Sequence, residues 1–576
     1  ESVDSLKTLY DTGETNAYTI TITSETADTQ SSTAAEFNAI NNATSLAVNA
    51  TSVTALASSN ISDIKTLLTA GNDTNQFTAT SFGSLATVTV ADTTLDVSDL
   101  NDSIAQANTA TDATTTSFTI TSVDTINAGT AAEFTTLLGY ESGSQISITD
   151  QNLTVDSGTM SLANAVALSA TTSGTVTGEI TSGTTISAML DSTTGLKDTG
   201  TVAAQALTIT VASGDAEATA GNLTSLYGKT TVAVDASAVT QITGSVDAAN
   251  IVYAAGASEI TGLGNETVVT TDTSLSDVTT LNTLDGNTTG TVNAASVNSI
   301  TGTLAKLLTA YGSNGITGLG NETISVSDTG GGSSLAASDL NSLDSKTSGT
   351  ITTANGLVTL TGTVAALNTA YGSAGLSIQG DEAITISDTT VDAEALNNLN
   401  NYTSGVIDAD TLTKLTGTLA DVNVAFAADA ASSATISGLG DQDVELTDTN
   451  VLAADLNTLN GYTGGTVDAS TVAVMEGTVS ALNTAYDTAG INGLGNEAVT
   501  ITDTTALVAA LVTLDGNTTG VIDASAAHTL SGSVANANLV YGSNGFTGLG
   551  AEAVTLNDTS LGLSLIHISE PTRRHL

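Results

Sequence analysis

Residues 478–504 read TVSALNTAYDTAGINGLGNEAVTITDT, and this stretch decides the fold. It opens with Thr478, a residue type that caps helices, and continues with apolar residues three and four apart, which predicts a helix of about two turns ending near Tyr486. A glycine-rich turn follows, and β-branched residues then alternate with threonine up to Asp503, as in a strand. One short helix and one strand cannot bury their apolar faces alone, so they need neighbours of the same kind.

The chain supplies such neighbours by repetition. A Thr-Gly-Thr element or a close variant recurs six times, with successive starts 58, 60, 55, 60 and 55 residues apart. An aromatic residue follows each element, and a Gly-Leu-Gly turn comes next in five of the six units, whereas the third unit has Ile378-Gln379-Gly380-Asp381. Each unit contains two similar halves, so the elementary coil is about 28 residues long. The elements start at Ile242, Ile300, Leu360, Leu415, Met475 and Leu530, and the aromatic residues are Tyr253, Tyr311, Tyr371, Phe426, Tyr486 and Tyr541.

Stacking of these coils predicts a repeat solenoid in which a parallel β-sheet is backed by short helices, as in leucine-rich-repeat stacking. The alternative is an all-β solenoid without helices. Regular repeats of 55–60 residues, each with two coils, are expected over residues 241–562. Residues 1–240 are expected to hold degenerate repeats of the same plan, because Thr33-Ala34-Ala35-Glu36-Phe37 recurs as Thr130-Ala131-Ala132-Glu133-Phe134.

The stretch LSLIHISEPTRRHL at residues 563–576 differs in composition from the rest of the chain. It holds the only proline, both arginines and two of the three histidines. Its LSLIHISEPTR resembles the in-frame translation of a sequencing-library adapter, a contaminant of metagenomic assemblies. We therefore expect residues 563–576 not to be native sequence and leave them out of the fold prediction.

The charge of the chain is strongly one-sided. The chain has nine basic and 59 acidic residues, which gives a formal net charge of −50. The lysines do not cluster in the sequence. Binding to nucleic acid or to an anionic membrane surface requires clustered basic residues, so neither is expected. There is no cysteine for disulfides or thiol chemistry, and no apolar run of about 18 residues that would span a membrane. Dense acidic charge suits solubility in salty water or the uptake of divalent cations.

Candidate catalytic residues are scarce. His528 is the only histidine before residue 563, and other units carry Asn298, Val358, Thr413 or Ala473 at its position, so we interpret it as an exposed repeat variant. The Gly-Leu-Gly-Asn-Glu segment at residues 262–266 lacks the lysine and the spacing of a phosphate-binding loop and is interpreted as a turn. No zinc site, cofactor site or enzyme activity is predicted.

Recurrent aspartates provide the one hypothesis for a ligand. A first set follows the strands, and a second set lies on the intervening coils. If the two sets alternated in one ladder about 5 Å apart, Ca²⁺ would relieve their repulsion. The alternative is that these side chains cap turns and the following helices. The first set is Asp272, Asp328, Asp388, Asp448, Asp503 and Asp558, and the second is Asp408, Asp468 and Asp523.

The segments ITGLGNE, DTSLS, LNTLDGNTTG and TVDAS resemble repeats of giant cell-surface proteins of marine unicellular cyanobacteria, a group that includes the surface protein needed for swimming. The resemblance covers residues 200–562 best. It implies an exported, extracellular or cell-surface protein without enzyme activity, and it assigns no site residues. We expect a structural or spacer element that contacts itself or cell-envelope components; the alternative is the stalk of an adhesin or phage fibre whose binding domain lies elsewhere. The recurrent tyrosine, next to alanine and leucine, is expected to be buried rather than to bind sugars.

Overall fold

The computed structural model describes residues 2–6, 9, 16–23, 32–110, 116–199, 205–328, 334–353, 357 and 359–558. The segment 563–576 lies outside these residues. The α-helices are α1 Val3–Leu6, α2 Ala34–Asn42, α3 Ile61–Gly71, α4 Val97–Ala110, α5 Ala131–Ser142, α6 Leu162–Thr171, α7 Ile186–Met189, α8 Ala220–Tyr227, α9 Val246–Glu259, α10 Val278–Asn287, α11 Leu304–Gly312, α12 Ala337–Asp344, α13 Val364–Gly372, α14 Ala393–Tyr402, α15 Leu419–Ala430, α16 Ala453–Tyr462, α17 Val479–Asp487, α18 Val508–Asn517 and α19 Val534–Gly542.

The strands are short and fall between the helices. Those before residue 241 are β1 Ala55–Ser59, β2 Thr87–Val90, β3 Thr94–Asp96, β4 Ser117–Thr119, β5 Thr125–Thr130, β6 Asn152–Met160, β7 Val176–Ile180, β8 Gln205–Thr208, β9 Glu217–Thr219 and β10 Val234–Asp235. Those from residue 241 onward are β11 Gln241–Gly244, β12 Ile260–Thr261, β13 Thr267–Thr270, β14 Ser274–Leu275, β15 Val292–Asn293, β16 Ser299–Gly302, β17 Ile316–Thr317, β18 Thr323–Val326, β19 Ser334–Ala336, β20 Ile351–Thr353, β21 Thr359–Gly362, β22 Leu376–Ser377, β23 Ala383–Ile386, β24 Thr390–Asp392, β25 Ile407–Asp408, β26 Lys414–Gly417, β27 Ile436–Ser437, β28 Asp443–Leu446, β29 Asn450–Leu452, β30 Val467–Asp468, β31 Val474–Gly477, β32 Ile491–Asn492, β33 Ala498–Ile501, β34 Thr505–Leu507, β35 Ile522–Asp523, β36 Thr529–Gly532, β37 Phe546–Thr547 and β38 Ala553–Leu556.

Each regular coil combines a helix with parallel strands, so the predicted α/β solenoid is confirmed and the all-β alternative is wrong. In the opening stretch, Thr478 Oγ1 accepts a hydrogen bond from the backbone N–H of Ala481 and caps α17. The helix buries Val479, Leu482 and Ala485. On β33, Val499 and Ile501 are both 1 % exposed, as expected for alternate residues of a strand with one face in the core.

The chain divides into two compact units. The first contains residues 1–273, 279–297 and 314–318, and the second contains residues 274–278, 298–313 and 319–576. The first unit includes the five-stranded parallel ladder β3-β5-β6-β7-β8, in which the register shifts between β5 and β6 and again between β6 and β7. It also contains a cluster of Phe37, Phe77 and Phe82, with ring centroids 5.0 and 5.9 Å apart. A division near residue 240 stays a prediction.

The strands of the second unit form a series of staggered ladders rather than the single sheet that the sequence predicted. The ladder β24-β26-β28-β30-β32 begins directly before α14 and ends directly after α17. A new ladder begins in every double coil, at β14, β19, β24, β29 and β34. Along one ladder, the strand thus shifts from a position before a helix to a position after one.

Asparagine side chains connect helices of successive coils. Asn368 Nδ2 donates to the carbonyl oxygen of Ala395 over 2.9 Å, and Asn457 Nδ2 donates to that of Ala481 over 2.8 Å. The same bond runs from Asn341 in α12 to α13 and from Asn397 in α14 to α15. This polar row fixes how each helix lies on the next, because a buried amide donor is costly to leave without an acceptor.

Candidate functional site

The first set of aspartates caps helices, but in the preceding coil. Each carboxylate accepts a hydrogen bond, over 2.6–2.7 Å, from the first N–H group of a helix that lies 24–29 residues earlier in the chain. A negative charge is favourable there because helix N-termini carry unpaired N–H groups and a partial positive charge. The pairs are Asp272 with Val246, Asp328 with Leu304, Asp388 with Val364, Asp448 with Leu419, Asp503 with Val479 and Asp558 with Val534.

The prediction that these aspartates cap helices is therefore right about the kind of bond but wrong about the helix. It assigned each aspartate to the helix that follows it, whereas the bond is made to the helix of the preceding coil. The bond joins consecutive coils, which sequence spacing alone does not reveal. The same contact occurs before residue 240, where Asp92 accepts from the N–H of Ile61 and Asp215 from that of Ile186.

The second set of aspartates does not alternate with the first, so the predicted mixed ladder is wrong. Asp408 pairs in register with Thr385 and Ser437 and has no aspartate opposite it. Asp468 and Asp523 each accept a hydrogen bond from the backbone N–H two residues later, which is the geometry of an Asx turn. In Asp523, the N–H and hydroxyl of Ser525 hold the pKa of the carboxyl below its usual value.

Nowhere in the described ranges do three histidine or acidic side chains gather into a group that could hold a metal ion. In each aspartate of the first set, a carboxylate oxygen accepts a hydrogen bond from a helix N-terminus. In those of the second set, a carboxylate oxygen accepts one from a turn. Ca²⁺ binding by these residues stays a prediction. Its proposed cause was repulsion between stacked carboxylates of the two sets, and this does not arise because the two sets do not alternate in one ladder.

In five of the six regular units, the most elaborate polar cluster joins the recurrent tyrosine to a glutamate that the sequence analysis did not single out, and this glutamate is buried in four of them. Tyr486 Oη donates to Glu497 Oε2 over 2.8 Å, and the N–H of Gly495 donates to both carboxylate oxygens over 2.8 and 2.9 Å. The glutamates of the first three units and the fifth are 0–2 % exposed. The corresponding pairs are Tyr253 with Glu266, Tyr311 with Glu322, Tyr371 with Glu382 and Tyr541 with Glu552.

The fourth unit changes both partners together. Phe426 takes the place of the tyrosine, and Gln442 takes the place of the glutamate. The Gln442 side-chain oxygen accepts from the N–H of Gly440, and its Nε2 donates to the carbonyl oxygens of Leu412 and Gly438. A buried carboxylate therefore occurs where a phenol faces it, and a neutral amide occurs where no hydroxyl is present.

The Gly-Leu-Gly segment is a turn, as the sequence predicted, and it forms the other side of this cluster. Gly493 and Gly495 have φ angles of 89° and 133°, in a region that favours glycine. Backbone N–H groups of the turn donate hydrogen bonds to the glutamate of the same unit. Close packing continues beyond it, since a Cβ on Gly520 would overlap the carbonyl oxygen of Glu497.

Four of the five recurrent tyrosines are half-buried and Tyr541 is 44 % exposed, so the expectation that they are buried is met only in part. Their hydroxyl groups turn inward to the glutamate, and in Tyr311 burial first, then the hydrogen bond to Glu322, raises the pKa above the usual value. Tyr253 shows the same shift for the same causes. A phenol held in this way stays protonated and serves as a donor to the carboxylate.

His528 lies exposed just before β36, and its backbone N–H donates to the carbonyl oxygen of Thr504. Thr413 and Ala473, at the same place in other units, make the equivalent backbone bond to Thr389 and Thr449. The position is thus defined by its backbone, whichever side chain it carries.

In the part of the chain that the structure describes, no helix is both long enough and apolar enough to cross a membrane. No model of a known protein family and no curated protein sequence matches this chain.

Proposed function

We propose that the chain is a non-enzymatic structural or spacer element of a cell surface, built to transmit load from coil to coil. The observation that carries this proposal is the repeated bond between an aspartate and the first N–H group of the helix one coil earlier, as in Asp503 with Val479. Backbone pairing and the asparagine row act between the same coils. The aspartate bond recurs once in every double coil, and the backbone pairing and asparagine row lie between, so the repeats resist separation without a specialised site.

The composition is consistent with exposure at a surface. A net charge of −50 keeps such a chain soluble and separate from anionic partners in salty water. The resemblance of the repeats to giant surface proteins of marine cyanobacteria favours an exported protein of the same kind. Divalent cations and cell-envelope components are the partners we propose.

The alternative, a stalk that carries a distant binding domain, would gain support from exposed aromatic side chains along the repeats. Tyr402 and Tyr541 are 48 % and 44 % exposed. Four of the five recurrent tyrosines, however, are half-buried and direct their hydroxyl groups to buried glutamates, as Tyr371 does to Glu382 over 3.2 Å. These side chains stabilise the repeat, which favours the spacer function.

Stretching single molecules of the full chain tests the mechanical part of the proposal. A double coil of 55–60 residues releases about 200 Å of contour length when it unfolds, at about 3.5 Å per residue. We expect a series of force peaks separated by this length or by half of it. A chain that extends without force peaks would refute the spacer function. Antibody labelling of intact producing cells tests the location, and labelling that requires permeabilised cells would refute a surface role.

A further inference from the structure

The second helix of the third unit ends in a tyrosine where the equivalent helices of the first and fifth units end in asparagine. Helix α14 ends at Tyr402, whereas α10 and α18 end at Asn287 and Asn517. The fourth unit has Tyr462 at this position, and the second unit has Lys346. Tyr402 is 48 % exposed, so a large part of an aromatic side chain lies at the surface of the repeats.

In the fifth unit, the asparagine at this position bonds to an asparagine of the preceding helix. Asn517 Nδ2 donates to Asn483 Oδ1 over 3.3 Å, and the first unit has the same bond. Where Tyr402 stands instead, the buried Oδ1 of Asn368 in the preceding helix has no hydrogen-bond partner among the described residues, and Asn423 is in the same situation in the fourth unit. A buried acceptor without a donor lowers stability. The stability of the repeat therefore does not explain these tyrosines, and such exceptions to a regular pattern are typical of functional positions.

Each of the two tyrosines lies flat on the aromatic residue of the preceding coil. The rings of Tyr402 and Tyr371 are parallel to within 5°, with centroids 5.9 Å apart. Those of Tyr462 and Phe426 are parallel to within 1°, with centroids 6.3 Å apart. The inner ring of the first pair is held in turn, because Tyr371 Oη donates to Glu382. Stacking on a fixed ring gives the outer tyrosine a defined orientation at the surface.

A carboxylate accompanies each of the two tyrosines. The residue directly before the buried glutamate or glutamine is Asp381 in the third unit and Asp441 in the fourth, and both are exposed. A Cβ on Gly464, two residues after Tyr462, would lie 3.0 Å from Asp441 Oδ1. Asp381 lies near Tyr371, since its charge adds to burial and to the neighbouring glutamate in raising the pKa of that phenol. The other four units have no charge at this position, where they carry Asn265, Asn321, Asn496 and Ala551.

An exposed ring beside a carboxylate is an arrangement that suits a guanidinium group. The flat cation stacks on the ring, and its N–H groups donate to the carboxylate. Among the described residues, no lysine forms an ion pair with Asp381 or Asp441, and the only arginines of the chain lie in residues 563–576. A second molecule is therefore the source of the cation. The net charge of −50 attracts a basic partner and repels an anionic one.

We infer that Tyr402 with Asp381, and Tyr462 with Asp441, form two sites that each bind one arginine side chain of a basic segment of a partner protein. The sites lie in consecutive units, so one extended segment with two arginines is able to occupy both. This binding role adds to the spacer function and does not depend on it, because the sites need only the fold of the repeats.

Isothermal titration calorimetry of the full chain with the synthetic peptide Gly-Arg-Gly-Ser-Gly-Arg-Gly tests the inference. Tyr402→Asn combined with Tyr462→Asn leaves the net charge unchanged and introduces the residue that the first and fifth units already carry. We expect this double variant to bind the peptide about tenfold more weakly, because both stacking contacts are lost. A peptide with citrulline in place of arginine has nearly the same shape without the charge, and it should bind the unchanged chain just as weakly. Circular dichroism checks that the variants keep the fold.

The fifth unit provides the matched controls. Asn496→Asp combined with Asn517→Tyr, made in the double tyrosine variant, should restore binding because it builds the same pair beside Tyr486. Asp381→Asn should weaken binding severalfold. Asp487→Asn removes the same charge from an exposed residue next to Tyr486, and it should have a smaller effect.

Unchanged affinity in the double tyrosine variant would overturn the inference. Equal losses in Asp381→Asn and Asp487→Asn would do so too, since attraction by the overall charge would then account for the binding. Equal affinity for the citrulline peptide would show that no cation is recognised. Binding of a neutral glucan oligosaccharide in place of the arginine peptide, lost in the same double tyrosine variant, would assign the rings to sugars instead.

Discussion

Replacing Tyr486 by phenylalanine should destabilise its double coil, whereas the same change combined with Glu497→Gln should restore most of the stability. In the unchanged chain, the phenol donates to a carboxylate that is 1 % exposed. Removing the hydroxyl group leaves that buried charge with one donor fewer. Hydrogen bonds to charged groups are worth about 1.5–3 kcal/mol, and this is the loss expected for Tyr486→Phe alone.

The double variant reproduces the pair that the fourth unit already contains. A glutamine at residue 497 keeps an oxygen for the N–H of Gly495, and its amide nitrogen can donate to the carbonyl groups of Val472 and Gly493, which correspond to the partners of Gln442. We therefore expect the double variant to lie within about 1 kcal/mol of the unchanged chain, with a coupling energy of about 1–2 kcal/mol between the two sites.

Hydrogen exchange of the full chain is the suitable assay, because repeat proteins open locally and one overall unfolding energy would average the units. Peptides that contain Gly495 should exchange faster in Tyr486→Phe and return towards normal in the double variant. Peptides around Gly440 serve as the internal control. The reverse change at Phe426 and Gln442 gives a second cycle. If the two substitutions at residues 486 and 497 simply add, the pairing between phenol and carboxylate does not stabilise the unit and the reasoning is refuted.

Three further predictions concern the same repeats. Asp503→Ala should lower the free energy of unfolding near α17 by about 1 kcal/mol, the usual value of a helix cap, and exchange that is unchanged there would count against the cap. Gly520→Ala should destabilise because its Cβ meets the carbonyl group of Glu497, whereas Gly516→Ala, with open space around it, should be neutral or stabilising in thermal melts. Burial and the facing carboxylate raise the pKa of Tyr311, so its contribution to stability is full below the unfolded pKa of about 10 and declines above it. Melting temperatures and tyrosinate absorbance, both measured against pH, should show this loss of stability at alkaline pH. A melting temperature that does not change with pH there would contradict it.

The sequence predicted the coil well because its signals are local. Thr478 caps its own helix, and the alternation around Val499 and Ile501 marks one strand face, so both can be identified within a few residues. The acceptor role of Asp503 could not be predicted in the same way, because its donor lies 24 residues earlier, in the preceding coil.

The buried glutamate was missed although the chain contains a signal for it. Where Phe426 replaces tyrosine, Gln442 replaces glutamate sixteen residues later, and the other five units keep both original residues. A paired change between units of one chain indicates contact, as a paired change between related chains would. The staggering of the ladders had no such signal, because it depends on which strands of successive coils pair with one another.

Contacts between and within coils also explain how a chain with so few basic residues stays folded. Asp388 is held by the N–H of Val364, and Glu382 is held by Gly380 and Tyr371. In each case the partner of the carboxylate is a neutral donor, and the helix N-terminus supplies a partial positive charge without lysine or arginine. An acidic repeat built in this way needs no matching cation at each step. Its remaining carboxylates can therefore stay at the surface.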